Sequence, residues 1–333
     1  YYKETGKKWD SRSLFEIEKD IKKIDKKIVT RFYPIFFIKK ENSILPLSGI
    51  SNSRTIHCNE NGYYSIYESD RYGFNNPNEE WDSKKVEYLL VGDSYTHGAC
   101  VNRPNDISSV LRKLSGNSVL NLGFSGDGPL LQYATLKEYL KPNVSKILWL
   151  YFEGNDLTEL LNEKKNNLLN DYLNNKNFTQ NLILKQNEVD KFISNRIKEE
   201  KAKGLISTEF KIKKFIKLGK LRETLIYNPP ASPPPEFQKI LKSAKDLSEK
   251  NNSKLYFVYL PEFKRYRHKY DETNYKLVRN IVRELDIPFI DLHEELFLKE
   301  EDQLKFFPFG LLGHYNIDGY RRVAETIYKF SQR

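Results

Sequence analysis

From residue 86 onward, short unbroken apolar runs alternate with segments that read as helices, and few architectures accept that order. The runs are Tyr88–Gly92, Ser118–Gly123, Lys146–Phe152, Lys254–Leu260 and Pro288–Leu292. They lack the polar alternation of a strand with one wet face, so each is predicted to be buried on both faces of a parallel sheet. Helices are predicted at Ile107–Leu114, Leu130–Leu140, Tyr275–Leu285 and Asp318–Phe330. Strand and helix in turn predict an α/β fold over residues 86–333, a flavodoxin-like, doubly wound, mainly parallel five-stranded sheet.

Two stretches break the rhythm. Residues 1–85 read as an N-terminal extension packed on the core, with one helix at Ser13–Lys27 that turns Leu14, Ile17, Ile21 and Ile24 to one side. Tyr33 to Ile56 is turn-rich, and Asn-Gly, Tyr-Gly and Asn-Pro pairs punctuate Asn61–Trp81. Between the third and fourth strands, residues 157–250 are too long for a crossover. They are polar, rich in Lys and Asn, and read as a helical insertion above the sheet. Within it, Phe210–Lys220 is basic and amphipathic, a solvated helix face before a membrane- or glycan-facing lid. Tyr227–Phe237 (YNPPASPPPEF) reads as a stiff extended linker.

The 333 residues, 39% of them hydrophobic, can bury a full core without staples. Two cysteines are too few for a disulfide framework or a Cys-type zinc site. His57, His268 and His293 have no ligand-like spacing and no Gly-rich phosphate loop carries a Lys, so neither metal nor cofactor is expected. The net charge of +10 comes largely from Lys that is scattered rather than striped, and no nucleic-acid partner is expected. No apolar run approaches the roughly 20 residues that cross a bilayer. The chain begins at Tyr1 and contains no Met, as expected of a fragment or processed form with a membrane tether upstream.

In an open parallel sheet, ligands bind at the carboxyl ends of the strands. Four motifs fall there in order: Gly92-Asp93-Ser94, NLGFSGDGPL (Asn121–Leu130), EGND (Glu153–Asp156) and GHYNIDGY (Gly313–Tyr320). Each alone is common in loops. Together, over roughly residues 86–330, they resemble the SGNH/GDSL hydrolase superfamily. The resemblance implies Ser94 as nucleophile, His314 as general base, and an oxyanion hole made by the backbone N–H of Ser94, that of Gly126 and the side-chain amide of Asn155. SDRYGFNNP (Ser69–Pro77) and FPFGLLGHYN (Phe307–Asn316) resemble a subgroup found with bacterial surface-polysaccharide genes.

The chemistry suits these residue types. A serine hydroxyl is a poor nucleophile until a base takes its proton. The oxyanion that then forms needs fixed donors, each worth about 2.7–4 kcal/mol of barrier. His97, one helical turn past Ser94, competes as base, but its side chain should point along the helix, and His314 is preferred. In the family pattern an acid stands three residues before the histidine; here that position is Leu311. Asp291, at the end of the last strand, is the tentative third catalytic residue, with a main-chain carbonyl as the alternative.

The expected function is a serine esterase that hydrolyses an acyl ester, an O-acetyl group on a carbohydrate, with a small ester or acylated glycan as substrate. The same acyl-enzyme would serve transfer to a glycan hydroxyl, and a missing acid would suit a silent glycan-binding or assembly module. The subgroup resemblance implies an exported or membrane-associated, extracytoplasmic protein, in which Cys58 and Cys100 would be free to pair. The insertion, leaving the sheet just after Asn155, is expected to shape the acceptor side of the pocket.

Overall fold

In the computed structural model, which describes residues 5–38, 44–202, 231–267 and 269–332, all five expected strands form one sheet. After β1 (Ile28–Thr30), β2 (Arg54–Ile56) and β3 (Ile66–Glu68) of a smaller sheet, they are β4 (Val86–Gly92), β5 (Val119–Asn121), β6 (Val144–Phe152), β7 (Lys254–Leu260) and β8 (Phe289–Asp291). The order is β5-β4-β6-β7-β8 and every pairing is parallel. This is the flavodoxin-like order, in which the first core strand lies between the second and third.

The runs are apolar throughout because both faces are covered. Leu89, Val91, Ile147, Trp149 and Tyr151 enter one core, and Tyr88, Leu90, Leu148 and Leu150 the other. Helices Pro129–Tyr139, Pro235–Lys250 and Thr273–Glu284 close the first side; Ile107–Ser115 and Ile317–Ser331 close the second. The connection after β4 runs outward to β5 and that after β6 runs the other way to β7, over opposite faces of the sheet. The gap between them, at the carboxyl end of β4, is the topological switch point where such sheets bind ligands.

The insertion behaves differently from the expectation along part of its length. Helix Pro235–Lys250 buries Phe237, Ile240, Leu241 and Ala244 against β7 and helix Pro129–Tyr139, which makes it the ordinary crossover helix into β7. It begins inside the proline-rich stretch, with Pro234 as N-cap and Pro235 at the first helical position, where a missing N–H costs nothing. Helices Asp156–Glu163, Asn167–Asn174 and Gln186–Ala202 precede it. Phe210–Lys220 lies outside the described residues.

The extension contains more structure than its turn-rich sequence announces. β1 (Ile28–Thr30) pairs in parallel with β2 (Arg54–Ile56), which pairs antiparallel with β3 (Ile66–Glu68). Helix Leu14–Ile21, held by a Ser13/Glu16 capping box, buries Ile17 against Ile28 and Ile56. It stops short of Lys27: Ile24 is 88% exposed, and Asp25 turns the chain into β1 through the Lys27 N–H and Arg54.

The Ser69–Pro77 motif clamps this extension to the sheet. The buried Asp70 carboxylate accepts from the N–H groups of Tyr72 and Phe74, from Asn76 Nδ2 and from Trp81 Nε1, at 2.7–3.0 Å. So held, Asn75 donates to the His97 carbonyl at 2.9 Å, and Asn76 exchanges two hydrogen bonds with the backbone of Asn121 on β5. The insertion braces the same region: Asp190 takes both the N–H and the hydroxyl of Ser51, Gln180 bonds the backbone of Leu45, and Phe192 meets Phe37.

At Gly73 the motif passes so close to Gly49 that a Cβ would lie 2.1 Å from the Gly49 carbonyl oxygen, and its φ is +87°. Gly73→Ala is expected to destabilise the protein by about 3 kcal/mol or more, strain and backbone overlap adding. Denaturant unfolding of both proteins measures this, and wild-type stability in the variant would refute the packing described.

Candidate active site

β4 ends at Gly92, and Asp93 caps the short helix Ser94–His97 by accepting from the Tyr95 N–H at 2.9 Å. Burial pushes the Asp93 carboxyl up to about 6. The cap sets Ser94 at the carboxyl end of β4. Tyr95 stacks on Phe152 (4.1 Å between centroids), touches the His314 ring (4.9 Å) and donates to the Gly313 carbonyl. The loop carrying His314 is fixed from its far side by Asn316, which caps the last helix and binds the carbonyls of Lys305 and Phe307. Tyr315 adds a 2.7 Å bond to the Pro261 carbonyl.

Two residues 220 apart in sequence thereby meet: His314 Nε2 is 2.8 Å from Ser94 Oγ. The other ring nitrogen, Nδ1, lies 3.1 and 3.0 Å from the two carboxylate oxygens of Glu60, and the His314 backbone N–H donates to Oε2 at 2.7 Å. With the carboxylate on Nδ1, the proton belongs there and Nε2 offers its lone pair to the serine hydroxyl. Burial lowers the basicity of the imidazole, but the charge and hydrogen bond of Glu60, with the charge of Asp93, outweigh it and leave the pKa above its ordinary value.

Asp291 does not face the histidine. It caps helix Leu292–Glu295 through the N–H groups of His293 and Glu294 and accepts from the Tyr275 hydroxyl at 2.6 Å. β8, which carries it, is the third strand over from β4, roughly 14 Å away at the usual strand spacing. Leu311, in the place where the family pattern has its acid, is 62% exposed. The carboxylate comes instead from the extension.

Glu60 is held by its neighbours. Cys58 and Cys100 form a disulfide across 42 residues, a closure worth about 4 kcal/mol by chain entropy. Asn61 Nδ2 donates to the Cys100 carbonyl and Asn59 Nδ2 to that of Asp10. Cys100 follows Ser94 by six positions, so the bridge fastens the segment that carries Glu60 directly to the loop after Ser94. The pairing is also the sequence signal that points to Glu60: a bridge from Cys58 to Cys100 brings a carboxylate two residues away within reach of the site.

Gly126 and Asn155 lie just beyond the carboxyl ends of β5 and β6, the two neighbours of β4. Gly126 has φ +87°, which side chains rarely adopt, and an added Cβ would lie 3.3 Å from Ile35 Cγ2 of the extension, so the position favours glycine. Asn155 precedes helix Asp156–Glu163 without capping it, and its Oδ1 is buried without a partner among the described residues. Its amide is thus not spent on the helix. Glu163, from the same helix, accepts from the N–H groups of Gly128 and Leu130 and ties the two loops together.

His97 bonds Ser125 rather than Ser94, and His293 bonds the Tyr266 hydroxyl. His268 lies outside the described residues. Glu60, Cys100 and His314 bring potential metal-ligand atoms together, but the Cys100 sulfur is used in the disulfide and the other two bind each other. A cavity of about 610 Å³ lies near Lys254 and Pro288, at the opposite end of the sheet from Ser94.

No protein-family model and no curated protein matches the sequence. Among solved structures the chain is similar to a lipolytic protein of the G-D-S-L family from Desulfitobacterium hafniense, with 14% identity, TM-score 0.41, and coverage of 74% of this chain and 99% of that one. It is also similar to a lipolytic G-D-S-L protein from Veillonella parvula (15%, TM-score 0.41, 74% and 99%). A lipase/acylhydrolase from Enterococcus faecalis aligns with 13% identity, TM-score 0.42, and coverage of 74% and 94%.

If Glu60 orients His314, Glu60→Gln should lower kcat for an activated ester by about 10²–10⁴-fold, whereas Asp291→Asn should stay near wild type. The pH profile has a defined sign. A base works only when neutral, and Glu60 raises the pKa of His314. Removing its charge lowers that pKa, so the acid limb of kcat/KM should move to lower pH in Glu60→Gln. Superimposable profiles would contradict the assignment.

Proposed function

We propose that this protein is a serine esterase of the SGNH type, cleaving an acyl ester through an acyl-serine intermediate. The observation that carries the reading is the continuous relay from Ser94 Oγ through the His314 ring to the Glu60 carboxylate. His314 Nε2 takes the Ser94 proton as the oxygen attacks the ester carbonyl. The imidazolium that forms is stabilised by Glu60, which keeps its charge. The proton then goes from Nε2 to the departing alkoxide. Water repeats the sequence on the acyl-serine, with His314 again taking a proton, and the carboxylic acid leaves.

The tetrahedral oxyanion needs donors at the carboxyl end of β4. The Ser94 N–H, the Gly126 N–H and the Asn155 amide meet that need, each contributing about 2.7–4 kcal/mol of barrier lowering. With a carboxylate on His314, the reason for a silent module, a missing acid, falls away.

The substrate is an O-acyl, above all O-acetyl, ester on a carbohydrate. Trp9 and Phe309, 44% and 37% exposed, meet with centroids 5.9 Å apart; Trp9 adjoins Asp10, which Asn59 bonds next to Glu60, and Phe309 and the 39% exposed Leu312 precede His314 in the same loop. Such a rim suits the apolar face of a sugar ring. The protein acts in an extracytoplasmic compartment, a reading supported by the Cys58–Cys100 disulfide, which persists where the milieu oxidises. Among the described residues no helix is long and apolar enough to cross a membrane.

A fluorophosphonate probe should label the wild type at one serine and leave Ser94→Ala unlabelled. Release of acetate from an acetylated polysaccharide should fall at least about a thousandfold in that variant. Labelling that survives Ser94→Ala, or a wild type inert to both probe and esters, would refute the proposal.

A further inference from the structure

We propose that His57, Ser125 and His97 form a buried positioning cluster that holds the Gly126 N–H in place for the ester-cleaving reaction. The inference rests on the esterase reading. Ser125 Oγ lies 2.9 Å from His57 Nε2 and 3.1 Å from His97 Nδ1, and the Ser125 backbone N–H points at the same Nδ1 at 3.3 Å. All three residues are buried: His57 is 2% exposed, His97 1% and Ser125 4%.

The protons in this cluster have one consistent arrangement. A backbone N–H can only donate, so His97 Nδ1 is an acceptor and its proton sits on Nε2. The Ser125 hydroxyl, facing the same lone pair, donates to Nδ1 as well. Its oxygen is then free to accept, and His57 Nε2–H fills that role. The chain runs His57 Nε2–H to Ser125 Oγ–H to His97 Nδ1, with both rings neutral. Burial favours this state, pushing His97 down to about 3 and His57 well below its ordinary value.

The residues touch no reacting atom, yet each is a chain neighbour of one. His57 stands three residues before Glu60, His97 ends the helix that Ser94 begins, and Ser125 immediately precedes Gly126. One hydroxyl therefore joins the segments that carry the acid, the nucleophile and an oxyanion donor. The rings are held in turn: His97 stacks on Phe124 and lies 4.5 Å from His57, and Tyr67 sets its edge against both. Folding alone gives little reason for this chemistry. Among the described residues His97 Nε2 is buried with no partner, a cost that apolar side chains of similar size would avoid. Fixing a loop whose glycine must present its N–H to a transition state does give a reason.

Four variants test this with p-nitrophenyl acetate. Ser125→Ala removes the shared hydroxyl, and His97→Phe keeps the ring stacking but loses the acceptor. His97→Asn restores an acceptor near the Nδ1 position, and Ser125→Ala combined with His97→Phe tests whether the two act as a unit. The expected result is a kcat at least tenfold lower in Ser125→Ala and His97→Phe with KM within twofold, recovery of most of that loss in His97→Asn, and no further loss in the double variant. Circular dichroism confirms folding; if Ser125→Ala does not fold, the two His97 variants carry the test. Folded variants with kcat within twofold of an active wild type overturn the cluster and leave the esterase reading intact. A wild type without esterase activity overturns both.

Discussion

Everything around the site follows from one requirement: a carboxylate on an extension outside the sheet must stay on His314 Nδ1. Glu60 and His314 are 254 residues apart, and their contact spans two separately built parts of the chain. A hydrogen bond from a neutral imidazole to a partly buried carboxylate cannot supply the force that docks those parts, since such bonds to a charged group are worth about 1.5–3 kcal/mol net. Docking has to come from elsewhere. It comes from the Cys58–Cys100 bridge, from the Asn75 and Asn76 bonds to the Ser94–His97 helix and β5, and from Phe37 and Phe74 in the common core. The Glu60 contact then costs little, because both partners are already in place.

This division of labour accounts for motifs with no chemistry of their own. Ser69–Pro77 acts through backbone geometry: Asp70 gathers four donors so that two asparagines reach the sheet edge. The described part of the insertion does comparable work, meeting the extension at Leu45 through the loop residue Gln180 and at Ser51 through Asp190 of helix Gln186–Ala202. The extension in return supplies Ile35 and Tyr33 beside Gly126.

The sheet was legible in the sequence because five runs buried on both faces have no polar alternation to confuse the reading, and turns with Gly, Asp and Asn mark their carboxyl ends. Ser94 and His314 were legible for the same reason: each sits where topology puts ligands, and strand order brings them together. Glu60 was not. It lies in a stretch whose strands have three residues each, too short to show a period, and its partner is at the other end of the chain. Asp291 drew attention because it ends a strand, but β8 is the edge strand and its carboxylate is taken by a helix cap and a tyrosine. The linker reading of Tyr227–Phe237 failed in its last residues because proline, excluded from helix interiors, is favoured at the first turn.

The central claim is that Glu60, from the extension, completes the relay on which Ser94 depends. The most direct measurement is a crystal structure of the protein after reaction with a small fluorophosphonate. The account predicts phosphorus bonded to Ser94 Oγ, its free oxygen within hydrogen-bond reach of the Gly126 N–H and the Asn155 amide, and the Glu60 carboxylate on His314 Nδ1. A phosphonylated Ser94 whose histidine is held by Asp291 or by a main-chain carbonyl, with Glu60 turned to solvent, would contradict it.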